Sequence, residues 1–399
     1  MKKLTLKDVD LKNKKVLMRV DYNVPLDKDG KISDDTRIKA SLPSLQYILD
    51  KGGSVILMSH LGRPKGVRDP KYSLKPCAKR LSELLHKSVT MAPDCIGSDV
   101  KTLVKNLQSG EILLLENLRF YPAEEKPETD PSFAKQLAEL GDIYVNDAFG
   151  TAHRAHSSTV TVARYFPDRA VAGFLMEKEM KVLGQLIENP QRPFYAIIGG
   201  AKISSKLGVI QSLLQKVDRL LIGGGMAFTF FKAQGISIGD SIHEDECLEQ
   251  AQEILDGNEK SKLLLPVDLV IADRLEDSAK TAIVTTKEGV PNGYQGVDIG
   301  PKTIELFKNE LQKASTIFWN GPLGVFEVKR FAEGTNAIAH ALAESNAVTI
   351  IGGGESVAAV QAAGVADKMT HISTGGGASL EYLEYGSLPG IEALTDKKS

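Results

Sequence analysis

Apolar runs of four to six residues alternate with longer stretches of helical period along this whole chain. In the first half the runs fall at Val16–Val20, Val55–Ser59, Ile112–Glu116 and Ile143–Asn146. In the second they fall at Tyr195–Ile198, Arg219–Ile222, Val267–Ala272, Thr316–Trp319 and Val348–Ile351. Between them, Ile38–Asp50, Leu74–His86 and Ala332–Ala343 carry apolar residues at three- and four-residue spacing. Runs this apolar predict strands buried on both faces, and intervening helices predict right-handed βαβ crossovers. The expected fold class is therefore α/β, built on mainly parallel sheets with helices on both faces.

Near mid-chain, Met176–Ile187 reads as a helix that Asn189, Pro190 and Pro193 then break before the next buried strand. A helix ending in a proline-punctuated turn there suits a connection between two domains of similar size. At 399 residues the chain is long enough for two separate cores.

A formal charge of −2 argues against a general nucleic-acid binder, so any basic site must be local. Cys77, Cys95 and Cys247 form no metal-ligand pattern and are expected as reduced thiols. The basic N-terminus lacks an apolar run behind it, and no apolar stretch approaches the ~20 residues needed to span a bilayer. A cytoplasmic protein is expected.

Four turns in the second half run an apolar strand into glycines and on into a helix: FYAIIGGAKISSK, RLLIGGGMAF, VTIIGGGESV and HISTGGGASLE. Glycines there let backbone N–H groups approach a ligand, and the following helix N-termini are positively polarised, so they suit phosphate. With Lys202 and Lys206 on the first turn, a polyphosphate such as a nucleotide is the simplest ligand. No G-x-x-x-x-G-K-[ST] is present, and no G-x-G-x-x-G follows an early strand with an acidic residue about twenty positions on. DKDG at Asp27–Gly30 has neither the glycine position nor the closing Glu of a calcium loop, and reads as a polar hairpin.

The first half places basic and polar residues at strand ends instead. Asp21 and Asn23 follow one strand, His60 and Arg63 another, Arg119 a third, and His153, Arg154 and His156 a fourth; Arg37 opens a helix. Ligands of open α/β sheets bind outside the carboxyl ends of strands, so these residues can converge. One strand-end arginine reads as a surface ion pair; five basic residues at like topological positions fit a small, multiply anionic substrate. Arg19, inside its strand, is expected to make a structural ion pair. His153 and His156 are open between substrate contact and loop hydrogen bonding.

The segments VLMRVDYNVP, SHLGRP, ENLRF, FGTAHRAHSS, GFLMEKE, GGAK, IGGGMA, DIGP, FWNGPLGVFE, GGGES and STGGGASLE together, in this order, resemble the phosphoglycerate kinase family from about residue 5 to the C-terminal tail. The resemblance implies two Rossmann-like domains joined by a hinge helix: residues 1–173 for the triose, a linker at 174–193, residues 194–380 for the nucleotide, and 381–399 packing back toward the first domain. It implies reversible transfer of the acyl phosphate of 1,3-bisphosphoglycerate to Mg-ADP, giving 3-phosphoglycerate and ATP, in a monomer that binds no nucleic acid or membrane. Asp21, Asn23, Arg37, His60, Arg63, Arg119 and Arg154 fall on the triose-binding positions. Lys206, Gly296, Asn320, Glu327 and Gly352, Gly353, Gly354 and Glu355 fall on the nucleotide side. Arg37, Lys202, Lys206 and Gly376 fall at the transferred phosphoryl group, and Glu355 at the Mg²⁺ of the nucleotide.

The chain departs from that pattern at Glu355, where the family usually carries Asp, and at Ser205, often Asp in the family. The added methylene moves the carboxylate oxygens, and Mg²⁺ tolerates little geometric error, so water-mediated contact is one expectation. Two other readings stand beside this one. A phosphoglycerate kinase-like binding protein of weakened turnover rests on Glu355 alone. An NAD-dependent dehydrogenase lacks the dinucleotide fingerprint.

Overall fold

The computed structural model describes residues 2–398. Residues up to Val182, together with the stretch from Ser387 onward, form one compact unit, and Leu183–Gly386 form a second. The division falls inside the helix Phe174–Glu188, which begins two residues before the expected Met176 and ends one after Ile187.

The first unit holds strands β1 (Lys15–Val20), β2 (Ser54–Met58), β3 (Val89–Met91), β4 (Ile112–Leu114), β5 (Ile143–Asp147) and β6 (Ala170–Ala172). They form one sheet in the order β3-β4-β2-β1-β5-β6, and every pair is parallel. The β1 side chains Val16, Met18 and Val20 pack with Val55, Leu57, Ile112, Leu114 and Val145 in a single buried cluster. Burying each such side chain contributes roughly 1.5–3 kcal/mol. The C-terminal stretch belongs to this unit: Leu4 N–H donates to Thr395 O and Thr395 N–H to Ala170 O.

The second unit holds β7 (Phe194–Ile198), β8 (Arg219–Ile222), β9 (Leu263–Leu264), β10 (Asp268–Ala272), β11 (Thr281–Thr285), β12 (Gln295–Ile299), β13 (Thr316–Asn320), β14 (Val348–Gly352) and β15 (His371–Ile372). Six of them form a parallel sheet in the order β15-β14-β13-β7-β8-β9. Trp319 of β13 is fully buried among Ile197, Leu221, Ile338 and Ile351, and its Nε1 donates to Gly321 O at 2.7 Å.

The run Val267–Ala272 joins none of these. As β10 it lies between β11 and β12 in a separate three-stranded antiparallel sheet. β11 has no fully buried residue, so it lacks the continuous apolar signature by which parallel strands are recognised.

In both units the central strands reverse the order of connection, at β1 in the first sheet and at β7 and β13 in the second. The crevice at the carboxyl ends of such strands is the natural ligand position in doubly wound sheets.

Candidate active site

In the first unit, Asp21 and Asn23 leave the end of β1. Arg37 is the second residue of the helix Thr36–Asp50. Its Nη1 donates to Asp21 Oδ2 at 3.0 Å and to Asn23 O at 3.1 Å. Asn23 Oδ1 accepts from Gly62 N–H at 2.9 Å, tying this loop to the one after β2. Arg119 Nη1 donates to Gly62 O at 2.9 Å, and Asn117 holds the neighbouring turn through Leu61 O and Tyr72 O. Three loops from three strand ends are therefore bonded into one rim.

The rim carries an excess of positive charge. Burial, with Arg19, Arg119, Arg37 and His156 nearby, holds the His60 imidazole well below its ordinary pKa. Burial, with Arg19, Arg119, Arg154 and His153, brings His156 down to about 3. Arg119 is shifted down too, chiefly by burial and with Arg63 among the charges opposing it. Glu125, 3.3 Å from Arg119 Nη2, is its direct counterion. Arg119 Nε is buried and has no hydrogen-bond partner among the described residues. Buried polar groups are otherwise almost always bonded, so an orphaned guanidinium N–H among clustered cations marks a place suited to an anion. Arg63 and Arg154 are exposed and bear on the cluster electrostatically. Arg19 is buried, as expected of a structural cation, with Glu124 3.9 Å away.

In the second unit the glycine turns meet around one lysine. Lys206 Nζ donates to Gly199 O at 2.6 Å and to Asn320 Oδ1 at 2.9 Å. Burial lowers its pKa to about 8, against the opposing pull of Glu355. Gly353 has φ of +90°, and a Cβ there would lie 2.8 Å from Asn320 Nδ2. Gly353 caps the helix Gly354–Ala362, whose first turn carries Glu355. Ser379 Oγ donates to Gly376 O at 2.7 Å and lies 2.9 Å from where a Cβ on Gly352 would begin, which links the third and fourth glycine turns.

Beside this cluster opens a cavity of about 360 Å³, lined among others by Phe228, Ile242, Gly296, Leu323, Glu327 and Glu355. Apolar walls with a few carboxylates suit a nucleoside better than phosphate alone. A Cβ on Gly296 would strike the Phe228 ring at 1.9 Å, so glycine there keeps the wall flat. Lys202 is exposed, outside the residues that line the cavity, and contributes to lowering the Glu244 carboxyl.

Phe228, Ile242 and Leu323 were not among the residues expected from sequence. Phe228 and Leu323 stand inside quoted motifs, GGGMAF and NGPLG, but read there as ordinary helix or loop apolar residues. Asp298, which burial pushes up to about 7, also lines the cavity, with Gly334 N–H donating to Oδ2 at 2.7 Å.

For a divalent cation the donor set is sparse. Among the described residues no group of three or more His, Cys, Asp or Glu side chains could hold one. Glu355 stands alone, exposed, at a helix start on the cavity wall. One carboxylate is what Mg²⁺ takes from protein when it arrives on a polyphosphate and keeps its other oxygens from phosphate and water, so the residues fit a nucleotide-borne ion.

Residues 6–385 match the family model described as phosphoglycerate kinase. The chain is 54% identical to a phosphoglycerate kinase of Thermosipho africanus, over 100% of this chain and 99% of that one. It is 56% identical to a cytosolic phosphoglycerate kinase of Triticum aestivum, over 98% of each. Its fold superposes on a phosphoglycerate kinase from Coxiella burnetii with a TM-score of 0.86 at 41% identity, covering 98% of both chains. Full-length matches of this kind, with sheets and glycine turns arranged as above, settle the relationship: the chain belongs to the phosphoglycerate kinase family.

Proposed function

We infer that this protein is a phosphotransferase with a carboxyl acceptor, exchanging the acyl phosphate of 1,3-bisphosphoglycerate with ADP to give 3-phosphoglycerate and ATP. The observation that supports the assignment of half-sites is the gathering of Arg37, His60, Arg119 and His156 at the strand ends of the first unit, with Arg119 Nε buried and without a hydrogen-bond partner among the described residues. That environment favours a small anionic ligand, as 3-phosphoglycerate is. Asp21, Asn23, Arg37, His60, Arg63, Arg119 and Arg154 are its proposed binding residues, and residues 1–173 the triose domain.

The nucleotide is assigned to residues 194–380. Its base lies in the cavity walled by Phe228 and Leu323, Glu327 takes the ribose hydroxyls, and its phosphates reach Lys206, Asn320 and the turn Gly352–Glu355. Glu355 would hold the Mg²⁺ that a nucleotide carries, and that ion would supply charge neutralisation at the phosphates. The small-molecule substrates are the only partners proposed.

A carboxylate with pKa near ~3.5 is ionised at neutral pH, so the acceptor needs no general base. What remains is to align donor and acceptor and to stabilise charge on the equatorial oxygens. Arg37, Lys202, Lys206 and the backbone at Gly376 are assigned that work. Arg37 is held by Asp21 and the Asn23 carbonyl until a stronger anion arrives. Acyl phosphates hydrolyse readily, so half-sites on separate domains, brought together by a hinge at 174–193 only when both ligands are bound, would let the reacting groups meet with water excluded.

Separate titrations test the assignment. Arg119→Ala should lose 3-phosphoglycerate and keep Mg-ADP, and Lys206→Ala the reverse. Loss of both ligands in either variant, or of neither, contradicts it. Scattering should detect compaction only with both ligands bound, and none in that state would remove the hinge.

A further inference from the structure

Arg19 and Glu124 stand behind His60, both almost completely buried. Arg19 Nε donates to Ser158 Oγ at 2.8 Å, and Nη1 donates to Val20 O. Nη2 lies 3.2 Å from His60 Nδ1 and 3.9 Å from Glu124 Oε1. Ser158 joins the two charges: its hydroxyl meets Glu124 Oε1 at 2.5 Å and its N–H meets Oε2 at 3.0 Å.

The directions of these bonds determine one another. A guanidinium has five donors and no acceptor, so Nε donates to Ser158, whose single hydrogen is left for the carboxylate. By the same rule Nη2 donates to His60 Nδ1, and Nδ1 must hold a lone pair. A neutral imidazole with its lone pair on Nδ1 carries its hydrogen on Nε2. The other tautomer would set two donors against each other in a buried site, leaving both unsatisfied.

We propose that Arg19, oriented by Glu124 and Ser158, is a positioning residue that fixes His60 as the neutral Nε2–H tautomer, so that His60 serves the triose half-site only as a hydrogen-bond donor. The functional half of this rests on the reading of His60 as a triose-binding residue given above. Phosphate and carboxylate oxygens are acceptors, so Nε2–H is the form that suits such a ligand. The geometry also accounts for why Glu124, on the short helix Pro122–Glu125, is buried rather than exposed like its neighbour Glu125: it holds Arg19, and Arg19 holds the ring.

Long-range ¹H–¹⁵N correlation on the full chain labelled at histidine reads which ring nitrogen carries hydrogen, with no ligand present. His60, identified by the signal lost in His60→Gln, should show a protonated Nε2 and a bare Nδ1. A protonated Nδ1, or both tautomers in comparable amounts, overturns the proposal. Ser158→Ala removes the hydroxyl between the two charges at the cost of one oxygen atom. It should mix the tautomers and raise KM for 3-phosphoglycerate about 3- to 10-fold, the effect of weakening one hydrogen bond, with kcat unchanged. A wild-type ring pattern and wild-type KM in Ser158→Ala overturn the positioning role. If the Nε2–H pattern holds in the wild type but His60→Ala leaves KM untouched, the tautomer lock stands and the triose reading of His60 falls.

Discussion

Lys206 Nζ donates to Asn320 Oδ1 at 2.9 Å, which fixes which way the amide faces. Asn320 Nδ2 is left buried and without a partner, directed at the turn where Gly353 leads into the helix Gly354–Ala362. An ammonium, an orphaned amide donor and a helix N-terminus thus converge where a phosphate would be surrounded by donors.

Protonation of Lys206 should control nucleotide affinity above neutral pH. Its pKa of about 8 in the free protein lies below the ordinary 10.5, and bound phosphate favours the protonated form. Affinity for Mg-ADP is then full below about pH 8 and falls as pH rises beyond it, by up to roughly tenfold per unit. Calorimetry across pH 7–10 should show this slope in the wild type and not in Lys206→Met. For stability without ligand the sign is opposite: the unfolded chain binds more protons between about 8 and 10.5, so this group's contribution grows with pH there.

Gly353 and Gly354 should respond differently to the same substitution. Gly353 has positive φ and no room beside Asn320 Nδ2, whereas nothing lies within 4 Å of a Cβ on Gly354. Gly353→Ala should lose about 1–3 kcal/mol in denaturant unfolding and bind nucleotide more weakly. Gly354→Ala should stay within ~0.5 kcal/mol of the parent. Equal stability of the two variants would mean that the turn is not strained.

Glu355→Gln tests the carboxylate assigned to the metal. Mg-ADP should bind about 10-fold more weakly while ADP without metal binds as before. Unchanged Mg-ADP affinity would remove Glu355 from the metal site.

Arg37→Ala should cut kcat by about 10²–10³, the usual cost of one preorganised charge at a transition state. Its side chain is 40% exposed, so unfolding should change little. Steady-state kinetics with a melt on the same sample check both, and near-normal turnover would refute the role.

How legible each part was depended on how local its signal is. β1, β2, β4, β5, β7, β8, β10, β13 and β14 were readable as apolar runs bounded by turn residues, to within one or two residues at their ends. The edge strands β3, β6, β9 and β15 have only two or three residues, too short to carry periodicity. β11 and β12 escaped because β11 is largely exposed and β12 opens QG, so neither shows a continuous apolar run. In the candidate site, the glycine turns with Lys202 and Lys206 are contiguous motifs. Glu124 was invisible because its meaning lies in Arg19 and Ser158, and a glutamate in PAEEK reads as solvated surface. Phe228 likewise gains its role from Gly296, sixty-eight positions away, whose missing side chain admits the ring.

The most direct measurement is turnover of ATP and 3-phosphoglycerate, with the 1,3-bisphosphoglycerate formed drawn off by a coupling enzyme. Turnover that needs both substrates and magnesium, and that falls by about 10² or more in Arg37→Ala, is the predicted result. A folded protein that binds both ligands without turnover, or that turns over NAD instead, would contradict the account.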